Sequence, residues 1–168
     1  MSPTACPGTA DTLVAACRIA VGAAETGLVH DIRRAVFVTE QRLFDGSDLD
    51  EHDADPATID VLGTVGGAPA GTVRLFPLDP ADPTGDWKGD RLAVLPEFRA
   101  SGLGGPLVRF AVATAGARGG RRMQAMVQLA NEAFFLRLGW RRLGAPELYV
   151  GRPHLRMDID LQAARAAC

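Results

Sequence analysis

The spacing of hydrophobic residues changes period several times along the chain, and each change marks an element. Leu13 to Val21 mixes β-branched and small apolar residues and predicts a first strand. Between Glu25 and Gln41, Leu28, Val29, Ile32, Val36 and Phe37 recur at helical spacing, which predicts an amphipathic helix. Phe44 to Pro56 is rich in turn formers and acids and reads as a loop. Thr58–Val65 and Pro69–Leu75 flank Gly66-Gly67, a hairpin signature whose diglycine supplies the positive φ of a tight turn. Pro77 to Asp86 carries three prolines and reads as a loop, and Asp90 to Leu95 as a strand. A glycine-rich turn then enters a helix from about Pro106 to Ala117, with Leu107, Val108, Ala111, Val112 and Ala115 on one face. Met123–Gln128 predicts a strand, and Glu132–Leu138 a short helix stopped by Gly139. Trp140–Leu143 and His154–Leu161 are the last two strands; the latter alternates Leu155, Met157, Ile159 and Leu161 with His154, Arg156, Asp158 and Asp160. Strands alternating with helices in this order predict an α/β fold with a mixed sheet and helices on both faces. Residues 1–12 read as an N-terminal tail, 13–161 as the single domain and 162–168 as a C-terminal tail.

Composition narrows the field without naming a chemistry. The 168 residues, 47% hydrophobic, are enough for one domain with a core. Lysine plus arginine number 18 and aspartate plus glutamate 20, a net charge of −2, which argues against general nucleic-acid or anionic-membrane binding. Three cysteines, at 6, 17 and 168, have no metal-like spacing, and their odd count suits a reduced compartment. No Lys or Arg precedes Arg18, so the start lacks the charge of a signal peptide, and no apolar run approaches the roughly 20 residues that span a bilayer. The expectation is a cytoplasmic protein that binds neither nucleic acid nor membrane.

Most informative is the run Arg91-Leu-Ala-Val-Leu-Pro-Glu-Phe-Arg-Ala-Ser-Gly-Leu-Gly-Gly-Pro. A strand passes directly into Arg99-x-x-Gly102-x-Gly104-Gly105 and then into a helix. Glycines let the backbone curl and let a ligand approach its N–H groups, and amides at a helix N-terminus form an anion cradle. Neither the dinucleotide GxGxxG context nor the P-loop GxxxxGK[ST] is present.

This segment resembles the acetyl-CoA-binding signature of the GNAT superfamily of N-acetyltransferases. A second block, Gln128-Leu-Ala-Asn131-Glu-Ala-Phe134-Phe135-Leu-Arg-Leu-Gly139-Trp140, resembles the same superfamily's "N…A..FY…GF" segment. Arg34-x-Val36-Phe37-Val38-x-Glu40-Gln41, Asp50-Glu51-His52-Asp53 and Gly151-x-Pro153-His154-x-x-Met157 are similar to a small bacterial subgroup, some of whose members are described as nitrogen-starvation-associated. The resemblance implies a mostly antiparallel sheet of six to seven strands, in which two parallel strands, Asp90–Leu95 and Met123–Gln128, splay into a V-shaped gap. It implies acetyl-CoA as acyl donor, with pantetheine along Leu92, Ala93 and Val94 and pyrophosphate on the turn of Arg99, Ala100, Ser101, Gly102, Leu103, Gly104 and Gly105. It also puts Asn131, Phe134 and Phe135 against the cofactor and Arg34, Phe37, Asp53 and Gln128 on the acceptor side. Residues 97–142 hold eight arginines and two acids, a basic half that suits a phosphate-rich ligand.

Direct acyl transfer needs a neutral amine, a hydrogen bond to the thioester oxygen, and a proton for the leaving thiolate. The resemblance implies that the Val94 amide, or a neighbour, meets the oxygen. The tyrosine of the family's "FY" pair, its usual acid, is replaced by Phe135, so either water or another group such as Tyr149 protonates the thiolate, or this member transfers poorly or not at all. Candidates for the base are Glu40, His52 and His154, with Asp90 a fourth. Three histidines without dense spacing argue against a metal. Residues 45–60 contain seven acids and no Lys or Arg, so a loop rimming the acceptor side favours a cationic amine: a polyamine, an amino sugar or a lysine-like group. The expected activity is transfer of an acetyl group from acetyl-CoA to such a small amine. The alternatives are a non-catalytic acyl-CoA-binding module and an acyl-homoserine-lactone-synthase-like acyltransferase, whose N-terminal half Arg34-x-x-Phe37 and Gly71-Thr-Val-Arg74-Leu-Phe-Pro77 resemble. Edge strands in this fold often pair, so a homodimer is an expected assembly.

Overall fold

The computed structural model describes residues 13–166. Seven strands form one sheet: β1 (Ala15–Ile19), β2 (Ile59–Val65), β3 (Ala68–Pro77), β4 (Asp86–Val94), β5 (Arg122–Gln128), β6 (Arg141–Tyr149) and β7 (Arg152–Asp160). Their order is β1-β2-β3-β4-β5-β7-β6, antiparallel at every neighbour except the parallel pair β4/β5. Four helices are α1 (Gly22–Arg33), α2 (Gly104–Ala117), α3 (Glu132–Arg137) and α4 (Leu161–Ala166). Of the expected tails, residues 1–12 lie outside the described residues, while residues 162–166 continue as helix from the buried Leu161.

The diglycine forms a two-residue turn: Gly66 and Gly67 have φ of 57° and 82°, and Val65 pairs with Ala68. On one face of the sheet, Val29, Ile32, Val36 and Phe37 pack on Leu62 and Ala93. On the other, Leu107, Val108, Ala111 and Ala115 of α2 pack on Val61, Val73, Leu75 and Trp87. Both interfaces use the apolar phases read from the sequence.

Three boundaries differ from that reading. The first helix does not run evenly to Gln41; from Arg34 to Glu40 its turns widen, and Gln41 N–H reaches back five residues to Val36 O at 2.8 Å. β4 begins at Asp86 rather than Asp90, because Trp87 is buried with its indole N–H on Pro83 O, 2.8 Å away. β6 runs to Tyr149, carried past Leu143 across a register shift.

The site depends on how β4 and β5 part. They pair only from Asp86↔Arg122 to Lys88↔Gln124 and then diverge. On its other edge β4 is bulged: Thr72 faces Ala93 and Arg74 faces Asp90, so Arg91 and Leu92 together oppose Val73, with Arg91 at φ 53°. A bulge bends its strand. Here it turns the end of β4 away from β5 and opens the expected gap.

Candidate functional site

A cavity of about 120 Å³ occupies that gap and passes through the sheet. Its mouth on the α1 side is formed by Phe37, Leu43, Phe44, Asp90, Arg91, Gln128, Tyr149 and His154; its other end, toward α2, by Val73, Val108, Ala111, Met123, Phe135 and Trp140. Leu95 N–H donates to Ala70 O on the β3 side. Alternation along the strand turns the backbone groups of Val94 and Leu92 the other way, to the gap, while those of Ala93 face β3. Val94 O accepts from Arg99 Nε at 3.1 Å.

The glycine turn lies beside the gap. Pro96–Ser101 is a tight helical turn stopped by Gly102 at φ 75°, where a side chain would be strained. Ser101 Oγ donates back to Phe98 O, which tightens the turn. Helix α2 then starts with no side-chain cap, so its first N–H groups face outward. Phe134 covers Gly104, its ring 3.4 Å from where a Cβ would stand, and the Arg109 guanidinium is equally near the corresponding point of Gly105. Of the eight arginines between 97 and 142, five are spent in ion pairs: Arg99 with Glu40, Arg121 with Asp86, Arg122 and Arg141 with Asp158, and Arg142 with Glu132. Arg109 makes none among the described residues.

The candidate bases separate. Glu40 holds the Arg99 guanidinium with both oxygens, Oε2 at 2.7 Å from Nη1. That hydrogen bonding holds its carboxyl below the usual carboxylate range, which makes it a poor base. His52 does not reach the cavity; its ring stacks on Phe76 with centroids 3.8 Å apart. Asp90 lines the mouth but is bonded to Arg74 through both oxygens, at 2.8 and 2.7 Å. His154 is buried and lines the mouth, with Nδ1 2.9 Å from Arg152 O. A carbonyl can only accept, so Nδ1 carries the proton and Nε2 is the basic nitrogen. Tyr149 crosses His154 edge to face, centroids 5.2 Å apart.

Of the residues expected on the acceptor side, Phe37 and Gln128 reach the cavity; Gln128 is tied to Gln41 at 3.1 Å. Arg34 is exposed, away from it. Asp53 is turned inward onto Arg33, at 2.6 Å. Among the expected cofactor residues, Asn131 and Phe135 line the cavity, whereas Phe134 stands over Gly104.

Sequence reading missed a buried network of arginines and aspartates. Arg33 bonds Asp48 and Asp53, Arg74 bonds Asp50 and Asp90, and Arg91 bonds Asp48 at 3.0 Å. Arg33 and Arg74 are fully buried. A signal was present, since Arg33 sits four residues after Val29 and one after Ile32, on the apolar phase of the helix. The network corrects the reading of the acidic loop as a free anionic rim: Asp48, Asp50 and Asp53 are neutralised internally. Burial pushes the Asp53 carboxyl up, but hydrogen bonds from Arg33 and the Asp50 amide outweigh it and leave Asp53 well below its usual range. The loop is thereby drawn against β3 and β4, and Phe44 lies under Arg91, 4.5 Å from ring centroid to guanidinium carbon. Backbone strain collects here too. The non-glycine residues with positive φ among those described are Arg42, Arg91 and Val150; the last two line the cavity and the first precedes Leu43, which also does.

Comparison with solved structures finds this architecture elsewhere. A candidate N-acetyltransferase from Lactobacillus plantarum superposes with a TM-score of 0.76 at 24% identity, covering 88% of this chain and 98% of the other. Escherichia coli ElaA gives 0.75 at 18% identity, covering 88% and 99%. The CoA-dependent acyl-homoserine lactone synthase BjaI, solved with SAM and isopentyl-CoA, gives 0.68 at 20% identity, covering 85% and 80%. At these identities the likeness shows the fold. The sequence pattern of the acetyltransferase (GNAT) family matches residues 27–140, from α1 through the split strands and the glycine turn to Trp140. With well over half of its length matched, this chain belongs to the acetyltransferase (GNAT) family.

Proposed function

We propose that the protein is an acyl-CoA-dependent N-acyltransferase, with acetyl-CoA its simplest donor and a small amine its acceptor. The observation that carries this reading is the through-sheet gap between β4 and β5, with the uncapped glycine turn of α2 beside it and His154 and Tyr149 at its mouth. The residues present fit a CoA thioester. Gly102, with open space where its Cβ would stand, the first amides of α2 and the Arg109 guanidinium suit the pyrophosphate. The gap-facing backbone of Leu92 and Val94 suits the pantetheine amides, in the manner of an added strand.

When bound, the donor supplies an acyl carbon whose bond to sulfur is exchanged for a bond to the amine nitrogen, with CoA leaving as the free thiol. His154 Nε2 takes the proton that the amine must lose, and Arg152 O keeps the imidazole in the tautomer that can do so. Tyr149, the phenol at the mouth, returns a proton to sulfur. A thiol has a free pKa of about 8.5, so this step asks little of its acid, and Phe135 is no obstacle to it. Gln128, held by Gln41, and Phe37 shape the acceptor entrance. The acidic loop argues less for a cationic amine, because Asp48, Asp50 and Asp53 are spent on Arg33, Arg74 and Arg91 and none of the loop's carboxylates lines the cavity; Asp90 is the carboxylate that lines the mouth.

Calorimetry with acetyl-CoA, followed by thiol release in the presence of cationic, neutral and anionic amines, tests the reading. Binding with amine-dependent thiol release supports it. Binding without release under any amine leaves a non-catalytic acyl-CoA-binding module, and no binding removes both.

A further inference from the structure

Taking the cavity as the acyl-CoA site, we propose that the acyl group it is built to hold is an aliphatic chain of about four to eight carbons rather than acetyl, seated in the apolar end toward α2. An acetyl group presents one methyl beyond the carbonyl carbon. The cavity measures about 120 Å³, and by that measure one water-sized group takes about 10–15 Å³, so roughly eight to twelve such groups fit. The reacting sulfur, the carbonyl and the acceptor nitrogen claim the polar mouth, and the remainder lies beyond them.

That remainder is walled by Val73, Val108, Ala111, Met123, Phe135 and Trp140, each no more than 8% exposed and none charged. Of the polar lining residues, Asp90, Arg91, Gln128, Tyr149 and His154 belong to the mouth; Asn131 also lines the cavity, and at the far end the buried Trp140 Nε1 has no hydrogen-bond partner. The space arises from small residues where larger ones would close it: Gly89 on β4, Ala125 on β5 and Ala111 on α2. Even a methyl at Gly89 would stand 3.1 Å from Met123 Sδ. Water gains few partners against such walls, and apolar space left unfilled forfeits packing. A methylene entering it leaves water for hydrocarbon, which improves binding about fourfold per carbon until the end wall is met. Trp140 Nε1 apart, the polarity divides as a thioester with a hydrophobic tail requires: hydrogen-bonding side chains at the mouth where the carbonyl reacts, mostly hydrocarbon beyond it.

The test is an acyl-chain series read by calorimetry, with thiol release as a second readout. The intact protein is titrated with CoA and with acetyl-, butyryl-, hexanoyl-, octanoyl- and palmitoyl-CoA. Affinity is expected to rise at least tenfold from acetyl to hexanoyl or octanoyl and to fall at palmitoyl, where the chain outruns the cavity. Ala111→Leu and, on a different element, Ala125→Leu are expected to abolish that rise; thermal melting checks that each variant folds, and the wild-type series decides by itself if neither does. Equal affinity along the series, or acetyl-CoA bound most tightly, overturns the proposal while leaving the acyltransferase reading intact. Failure of every CoA thioester to bind overturns that reading as well.

Discussion

Arg99 in the glycine turn reaches across the cleft to Glu40, at the end of the widened turns after α1, with Nη1 2.7 Å from Oε2. The same guanidinium donates to Val94 O at the end of β4. One side chain thus joins the glycine turn, the split strand and the widened turns after α1. The pair is half-exposed, and exposed pairs contribute about 0.2–1 kcal/mol, so its main consequence is to occupy Glu40.

Glu40→Gln is therefore expected to leave the pH dependence of kcat/KM unchanged and its magnitude within about fivefold. His154→Gln is expected to lower kcat by about 10²–10⁴ and to remove the acid limb of the profile. Thiol-release rates across pH 5–9 compare the two. Loss of the acid limb in Glu40→Gln alone would transfer the base to Glu40.

At the glycine turn, Gly102→Val meets a φ of 75° that a β-branched residue resists, and Gly104→Val pushes on the Phe134 ring 3.4 Å away. Both put a side chain where the phosphates are expected to lie. CoA affinity should fall at least tenfold in each while the far-ultraviolet circular dichroism stays native. Undiminished affinity in both would place the pyrophosphate elsewhere.

Arg74 is fully buried and ion-paired to Asp50, Asp53 and Asp90. Arg74→Ala removes the cation bonded to both oxygens of Asp90 and leaves Asp53 to Arg33 and Asp50 to Arg91, and removing one partner of a buried pair costs about 3–5 kcal/mol. Urea unfolding should show that loss; a change below 1 kcal/mol would mean that the network carries little of the fold.

Acid should destabilise the protein in a defined window. Burial raises Asp50, Asp53 and Asp158, but arginine hydrogen bonds prevail and leave all three below the ordinary 3.8. Groups depressed in the folded state stabilise it above their unfolded pKa, and the melting temperature should fall as pH drops below about 4. Asp60 runs the opposite way. Burial pushes it above 3.8, and its Oδ1 has no hydrogen-bond partner. Its contribution is full below 3.8 and is lost as pH rises through the raised pKa. Asp60→Asn is thus expected to raise the melting temperature at pH 7 by about 2–4 °C for each kcal/mol relieved, with no gain at pH 3. Calorimetric scans at the two pH values check both signs.

What could be read from the chain was what neighbouring residues decide among themselves. Gly66-Gly67 dictated a two-residue turn wherever the hairpin lay, the period of Val29, Ile32, Val36 and Phe37 set one helix face, and Gly102 to Pro106 marked a strand entering a helix by an open turn. These signals lie within a few positions of one another. The partners of Arg33 and Arg91 lie 15 and 43 positions away, and no local pattern announces them. Only tertiary structure could show that Asp48, Asp50 and Asp53 face inward, because their sign alone suits a solvated loop equally well. Likewise, the choice among Glu40, His52 and His154 rested on the company each keeps: an arginine, a phenylalanine, a carbonyl. The cavity itself belongs to no segment. It exists because a bulge at Arg91 bends β4 from β5 and because Gly89, Ala111 and Ala125, small residues on three separate elements, face the same gap.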